Sequence, residues 1–463
     1  MRTIAALIVV WLLFIPQVLA QTEMETETET EIEKKTEAET EKEPQTESET
    51  QAEEAGYESE MRELDINPTD VEETLEESFP QAGSVFPQLK PQAWPNFKKK
   101  LYKEQGLALG VSYQGIFQHA SESLTDNLDA AGGWFLLQGK WDMYNRGKDF
   151  QGSFLAALDW RHTLGNAQVP GLFRFQTGSQ WTTDPAYFNW DPYFTLFFLE
   201  QWLGKERFVF RLGQVTAASV FDRFRFKDFR TQFSNSQLSF PAATIPLGPP
   251  AFGLNWKWWP KPDSETYVVG TITDINAPVP TEGRYDWSGI FETGEVLAGL
   301  EIGHNWKRGK DDYDHAHLDV WYASRASRKD FLSDDGWGFK VSGSKQLTKW
   351  VGFANYSYNT VQGGGFGFTN AAQAVNVGLA YLEPLLISGE VALAFSWGQP
   401  LDVPDPITGV VSNRDQWGME GYWRILLTPD FWLTPGLQLI GNPSFNPQTD
   451  LITMPQVKFR IFL

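Results

Sequence analysis

From Gly106 onward the chain alternates apolar and polar positions. Over 107–114, Leu107, Leu109, Val111 and Tyr113 fall on one face, and Ala108, Gly110, Ser112 and Gln114 on the other. Phe208, Phe210 and Leu212 oppose Arg207, Val209, Arg211 and Gly213. Trp423, Ile425 and Leu427 oppose Glu420, Tyr422 and Arg424. At the end, Val457, Phe459, Ile461 and Leu463 oppose Gln456, Lys458 and Arg460. A period of two sends successive side chains to opposite faces of a strand. Charged groups recur on the minority face. In a soluble sandwich that face meets bulk water; in a membrane barrel it meets the lumen, and the apolar face meets lipid.

Seventeen strand candidates follow: 107–118, 133–143, 152–161, 171–181, 194–202, 207–215, 251–259, 265–274, 296–306, 314–323, 336–346, 350–358, 373–382, 389–397, 417–427, 431–440 and 454–463. Outer-membrane barrels usually have an even strand number, with short periplasmic turns and longer outer loops. Short turns stand at Arg146-Gly147-Lys148, Gly204-Lys205-Glu206 and Lys261-Pro262-Asp263-Ser264. Two successive periplasmic turns enclose one rising and one falling strand, yet three candidates lie between the first two. The surplus one, 171–181, reads as a hairpin inside a long outer loop, 162–193. Sixteen strands remain. Turns at 307–313, 347–349, 383–388 and Thr428-Pro429-Asp430 then fall on the periplasmic side. Connections 216–250, 275–295, 324–335, 359–372, 398–416 and 441–453 fall outside. A soluble β protein has no reason to keep this parity. The predicted fold class is all-β: a 16-stranded antiparallel transmembrane β-barrel over 106–463, behind a disordered acidic extension.

That extension has parts. Arg2 precedes an apolar run from Ile4 to Ile15, Pro16 breaks it, and Val18-Leu19-Ala20 suits a peptidase. The run is too short to span a bilayer and fits a signal peptide over 1–20. Residues 21–65 are low-complexity and acidic, and a segment with so little apolar surface stays disordered. Residues 66–105 form a lead-in. Thr69 and Glu72 have capping-box spacing, and Val71, Leu75 and Phe79 make one apolar helical stripe. Pro80, Pro87, Pro91 and Pro95 keep the next stretch extended, and Phe97 to Tyr102 predicts a further helical turn or two.

Charge sharpens the division. The 463 residues carry 59 acidic and 38 basic groups, a net −21. Residues 21–80 account for −19, and 81–463 for only −3. The barrel is nearly neutral. The mean hydropathy of −0.35 does not suit a helical membrane protein. The absence of cysteine excludes disulfides, thiolate metal sites and a cysteine nucleophile. No basic patch points to nucleic acid.

A 16-strand closure leaves an aqueous channel, so inward side chains must tolerate water. The strand-borne lumen candidates are Lys140, Asp142, Asp159, Arg161, Arg207, Arg211, Glu301, Lys340, Glu420, Arg424, Lys458 and Arg460. Both signs are present, which favours a neutral polyhydroxylated solute over a single-sign ion. The loop 216–250 opens with aromatics alternating with charges, from Val220 to Arg230. One reading folds it into the mouth, with Arg223, Arg225 and Arg230 lining an eyelet. The other leaves its aromatics on the rim and its charges in water. Trp134, Trp202, Trp256, Trp350 and Trp432, near strand ends, read as an interfacial aromatic girdle. No G-x-S-x-G, H-E-x-x-H or G-x-x-x-x-G-K-[ST] motif occurs, so no enzyme is expected. His315 and His317 share a face with Asp319, but with five histidines and no cysteine they read as lumen-facing polar groups. Neither a cofactor, a metal nor a catalytic residue is expected.

Four blocks carry a resemblance. Leu199-Glu200-Gln201-Trp202 with Arg211-Leu212-Gly213-Gln214 resembles a conserved hairpin of the OprB-type carbohydrate-selective porins. Phe233-Ser234-Asn235-Ser236, the Pro-rich stretch Pro241 to Pro250 and Gly253-Leu254 resemble the next block. Val375-Asn376-Val377-Gly378-Leu379, Ala394-Phe395-Ser396-Trp397-Gly398, Glu420-Gly421-Tyr422, Thr428-Pro429, Leu437-Gln438 and Asn442-Pro443 resemble the C-terminal third. The resemblance covers roughly 100–463. It implies a 16-stranded outer-membrane barrel passing glucose and other small saccharides by facilitated diffusion. It also implies a pore narrowed by inward-folded loops and lined by arginine and acidic residues. Glu200 and Arg211 match the motif. By alternation Glu200 shares a face with Phe198 and Trp202. The acidic tail departs from the family core, and the chain ends in Leu463 where barrel proteins commonly end in an aromatic.

The expected partners are small sugars and outer-membrane lipid, with no nucleic acid; a homo-oligomer is compatible. The tail, as a spacer or a contact arm for periplasmic components, is expected to hang in the periplasm. Deleting 21–80 is then expected to leave sugar flux intact. The alternative function is a general, structural or adhesive outer-membrane barrel without sugar preference.

Overall fold

The computed structural model describes residues 71–89, 93–205, 207–306, 314–412 and 414–462. The expected signal peptide, the acidic segment, Thr69 of the capping box, the turn 307–313 and Leu463 lie outside the described residues.

Sixteen antiparallel strands close into one barrel. They are β1 (Leu107–His119), β2 (Asp129–Tyr144), β3 (Gly152–Thr163), β4 (Trp190–Leu203), β5 (Phe208–Val215), β6 (Ala251–Trp258), β7 (Thr266–Asp274), β8 (Val296–Asn305), β9 (His315–Ala323), β10 (Gly336–Leu347), β11 (Trp350–Asn359), β12 (Ala371–Leu382), β13 (Gly389–Pro400), β14 (Gln416–Thr428), β15 (Phe431–Gly441) and β16 (Leu451–Phe462). Each pairs with its sequence neighbour, and β1 closes on β16 from Ser112 opposite Phe462 to Gln118 opposite Gln456. Closure leaves no strand edge, so every wall strand has hydrogen-bonding neighbours on both sides, as a lipid environment requires.

The alternation predicted from sequence fixes which face is which. Along β9, His315, His317, Asp319 and Trp321 are buried, while Leu318, Val320 and Tyr322 are exposed on the outer wall. The short connections, such as 259–265, 348–349 and 429–430, lie at one end. The long ones, among them 164–189, 216–250 and 275–295, lie at the other. Among the described residues no helix is long and apolar enough to cross a membrane. The strands do the crossing.

The surplus segment 171–181 is not a hairpin. It holds a helix, Pro170–Thr177, inside the β3–β4 loop. Proline at its first position and Gly178 at its end, in the left-handed region at φ 72°, bound it. Proline lacks an N–H that the first turn could not use, and glycine tolerates the positive φ. The girdle assignment also needs correction. Trp134, Trp202 and Trp432 are buried and point inward, whereas Trp350 is exposed on the outer wall. Position near a strand end does not decide the face; strand parity does. Trp432 shares its face with the buried Thr434 and Gln438.

Two helices precede the barrel. The first, α1 (Val71–Glu77), follows the predicted stripe: Val71 and Leu75 are buried. The chain then runs along the short-turn end, where Gln81 N–H donates to Pro429 O at 2.7 Å and Phe86 N–H to Leu427 O at 2.9 Å. The second, α2 (Ala93–Gln105), is longer than the turn or two expected and stops at Gly106, φ 72°. It docks on the β2–β3 turn, with Arg146 donating to Tyr102 O at 2.5 Å. Lys98 of α2 is buried against Ser78, donating to its carbonyl at 2.6 Å. That burial lowers the Lys98 ammonium to about 8.

Candidate functional site

Alternation sends the charged minority face of each strand into the lumen, and the structure joins these charges into networks. Glu200 of β4 lies opposite Arg211 of β5 in the ladder. It accepts from Arg211 Nε at 2.8 Å, from Trp202 Nε1 at 3.0 Å and from Lys140 Nζ at 3.3 Å. All four residues are buried inside the barrel. Glu200 therefore does face the lumen, and Phe198 and Trp202 point there with it. Alternation ties those aromatics to Glu200; their apolar character does not decide the direction.

The second carboxylate of this cluster was not expected. Glu72 of α1 accepts from Arg211 Nη2 at 2.7 Å and pairs with Lys140. The helix thus stands inside the barrel. Its last residue, Glu77, pairs with Arg460 of β16 at 2.7 Å and lies 3.8 Å from Arg230 of the β5–β6 loop. Leu75 packs on Gly110 of β1, where a Cβ would sit 3.1 Å from Leu75 Cδ2. Glycine there lets the helix approach the wall. This placement revises the expectation that everything before residue 80 stays in the periplasm. The strand charges gave no signal of it, because lumen-facing acids such as Glu200, Asp319 and Glu390 balance the lumen-facing cations.

The loop 216–250 does fold inward. Phe224, Phe226 and Phe233 pack with Phe353 and Tyr422 of the wall. Glu420 of β14 accepts the backbone N–H groups of Ser234 and Asn235, each at 2.7 Å. Lys458 of β16 donates to Phe229 O at 2.6 Å and pairs with Asp184 at 2.9 Å. Arg424 pairs with Glu390 at 2.8 Å. Of the three loop arginines, Arg230 holds Asp228 at 2.6 Å, Arg223 donates to Asn305 at 2.6 Å, and Arg225 is half-buried. Burial alone would raise the Asp228 carboxyl, but the adjacent Arg230 and Arg460 guanidiniums hold it below the usual carboxylate range. Arg207 is the exception among the expected residues. It lies exposed in the β4–β5 turn and not on the lumen face of a strand.

Asp222 of the loop joins His317 and Asp319 of β9, with ligand atoms within 4.8 Å of one another. His315 is engaged elsewhere, with Ser344 at 2.7 Å and Arg223 O at 3.0 Å. The fit to a cation is poor. Lys340 holds Asp222 at 2.6 Å and Lys227 lies 3.7 Å from it, so two ammonium groups already face that carboxylate.

On the long-loop side a cavity of about 130 Å³ remains, with Val71 of α1 in its lining. Arg161 is sandwiched there, 3.8 Å from the Trp134 ring centre and 4.2 Å from that of Trp190, and pairs with Asp159 at 2.7 Å. Phe188 stacks on Trp190 at 5.8 Å and on Phe366 at 6.4 Å, with the ring planes nearly parallel at 3° in both pairs. Arg161 covers the facing sides of Trp134 and Trp190, so the half-buried rings of Phe188 and Phe366 are what the cavity offers as a stacking surface beside the ion pair.

A closed barrel of sixteen strands, apolar outside, charged inside and narrowed by an infolded loop, has the architecture of an outer-membrane porin. Comparison of the fold leads to one such protein in particular. OprB of Pseudomonas putida, in its high-pH structure, superposes with a TM-score of 0.62 at 15% sequence identity, covering 83% of this chain and 100% of the OprB chain. The low-pH structure of the same OprB gives 0.46 at 12% identity, over 82% of this chain and 100% of OprB. A mutant of the Rh. blastica porin gives 0.43 at 9% identity, over 77% of this chain and 100% of that one. At such identities the likeness is one of fold. No protein-family model matches the chain, and no curated protein matches it in sequence.

Proposed function

We propose that the protein is an outer-membrane porin that passes small saccharides by facilitated diffusion. The observation that carries this reading is the cavity lined by Phe188 and Phe366 beside the Arg161–Asp159 pair. A sugar ring has apolar CH faces and a rim of hydroxyls. Aromatic planes suit the first, and a guanidinium–carboxylate pair suits the second. The charges lining the lumen come in opposed pairs, which gives a single-sign ion no advantage over a neutral solute. The OprB-like motif blocks point the same way, with Glu200 and Arg211 as the carried-over pair. Arg223, Arg225, Arg230, Glu420, Arg424, Lys458 and Arg460 are the further groups of the constriction, acting by holding the loop or by facing solute. Arg207 belongs to the periplasmic rim.

Current recording in planar bilayers tests the stacking site. Glucose is expected to block current through the barrel, and Phe188→Ala to weaken that block about tenfold, as loss of one stacked ring does. Block that is equally strong in the variant would remove the aromatic site from the proposal. A reading as a structural or adhesive barrel would show no solute-dependent current at all.

A further inference from the structure

At two places in the lumen, carboxylates of α1 join the cations of the wall and of the infolded loop. Lys140 and Arg211 share the wall carboxylate Glu200, and Asp142 of β2 lies on the same face beside Lys140. Arg460 and the loop residue Arg230 share Asp228, with Arg460 at 3.9 Å from it. In each case α1 supplies the further carboxylate, Glu72 to the first site and Glu77 to the second. The α1 sequence, VEETLEE, has four glutamates and no base. A helix of seven residues has little stability of its own. Val71 and Leu75 pack it on the wall, Lys98 grips Ser78 at its end, and the two ionic sites fix its glutamates.

We propose that α1 is a displaceable plug. Its glutamates occupy two carboxylate-binding sites of the lumen, and its withdrawal toward the short-turn end, where residues 81–86 are tethered, opens the solute path. The proposal rests on the porin reading. A plug carrying only negative charge answers to an electric field. Each elementary charge moved through the whole field at 100 mV shifts an equilibrium roughly 50-fold. The polarity that draws anions toward the short-turn end opens the barrel, and the opposite polarity keeps it shut. Small carboxylates compete with Glu72 for Lys140 and Arg211 and favour the open form.

The test is bilayer conductance of the full chain, of the double variant Glu72→Gln with Glu77→Gln, and of a chain lacking 21–80. Because the chain has no cysteine, Leu75→Cys adds a second readout: labelling of its single thiol reports the helix leaving the wall. The full chain is expected to be mostly closed and to open with one polarity. The double variant should raise the open fraction by about tenfold or more, the least that losing two charge-assisted contacts implies, and speed thiol labelling in parallel when combined with Leu75→Cys. If the truncated chain fails to fold, the double variant and the labelling decide. Equal conductance in all three, with slow labelling throughout, overturns the plug and leaves the porin. No conductance in any of the three overturns the porin reading and the plug together.

Discussion

Glu72 and Glu200 stand between the same two cations, Lys140 and Arg211. Two buried anions and two buried cations cancel, so removing one member leaves an uncompensated charge. Breaking a buried pair this way typically costs up to about 3–5 kcal/mol, far more than an exposed pair would. Arg211→Ala is therefore expected to loosen α1 while leaving the strands intact. Solute conductance should rise with an unchanged far-ultraviolet circular dichroism spectrum. Unchanged single-channel traces would contradict the assignment. The lumen side of Arg211 and Glu420 was legible, because period-two alternation in β5 and β14 names the face. Their partners were not. Glu72 sits 68 positions from Lys140 and 139 from Arg211, and no local pattern connects residues that far apart.

The strands were the most legible elements, because parity checks each one against its neighbours: a false strand puts every later turn on the wrong side. That check removed 171–181 from the wall correctly. It could not show what the segment becomes, since the aromatics Phe173 and Phe175 fit a strand face as well as a helix. Pro170 and Gly178 were the signals for a helix. This helix also ties two loops together. Its Arg174 pairs with Asp405 of the β13–β14 loop, both buried. Burial by itself would raise the Asp405 carboxyl, but Arg174 and the hydrogen bonds from Thr408 and Asn370 hold it below its ordinary 3.8. A depressed carboxylate contributes stability in full above its unfolded value and loses it as pH falls through the folded one. Amide protection of 170–177 and 401–412 should hold from neutral pH down to 3.8 and decline below it. Asp405→Asn should show the lowered protection already at neutral pH. Protection in that variant equal to the native chain's would mean the pair does not pin the loops.

At the scale of the whole molecule, charge and architecture separate cleanly. The net −21 sits almost entirely in 21–80, while 81–463 is near neutral at −3. The barrel and its strand number could be foreseen from alternation and turn parity, whereas the aromatic-charged run after Val220 left open whether its loop folds into the mouth or packs on the rim. The lodging of α1 in the lumen could not. Its stripe of Val71 and Leu75 names a helix but not what the helix packs on. The acidic charge is thus not wholly remote from the solute path: Glu72 and Glu77 carry part of it into the barrel. Sugar entry is the central claim of the proposed function. Liposome swelling with glucose, sucrose and a glucose-sized amino acid measures it most directly, using the full chain and the chain lacking 21–80. Glucose is expected to enter faster than the amino acid in both, with higher rates once α1 is gone. Equal entry of glucose and the amino acid would contradict sugar preference, and no entry of any solute through either folded barrel would contradict the porin function itself.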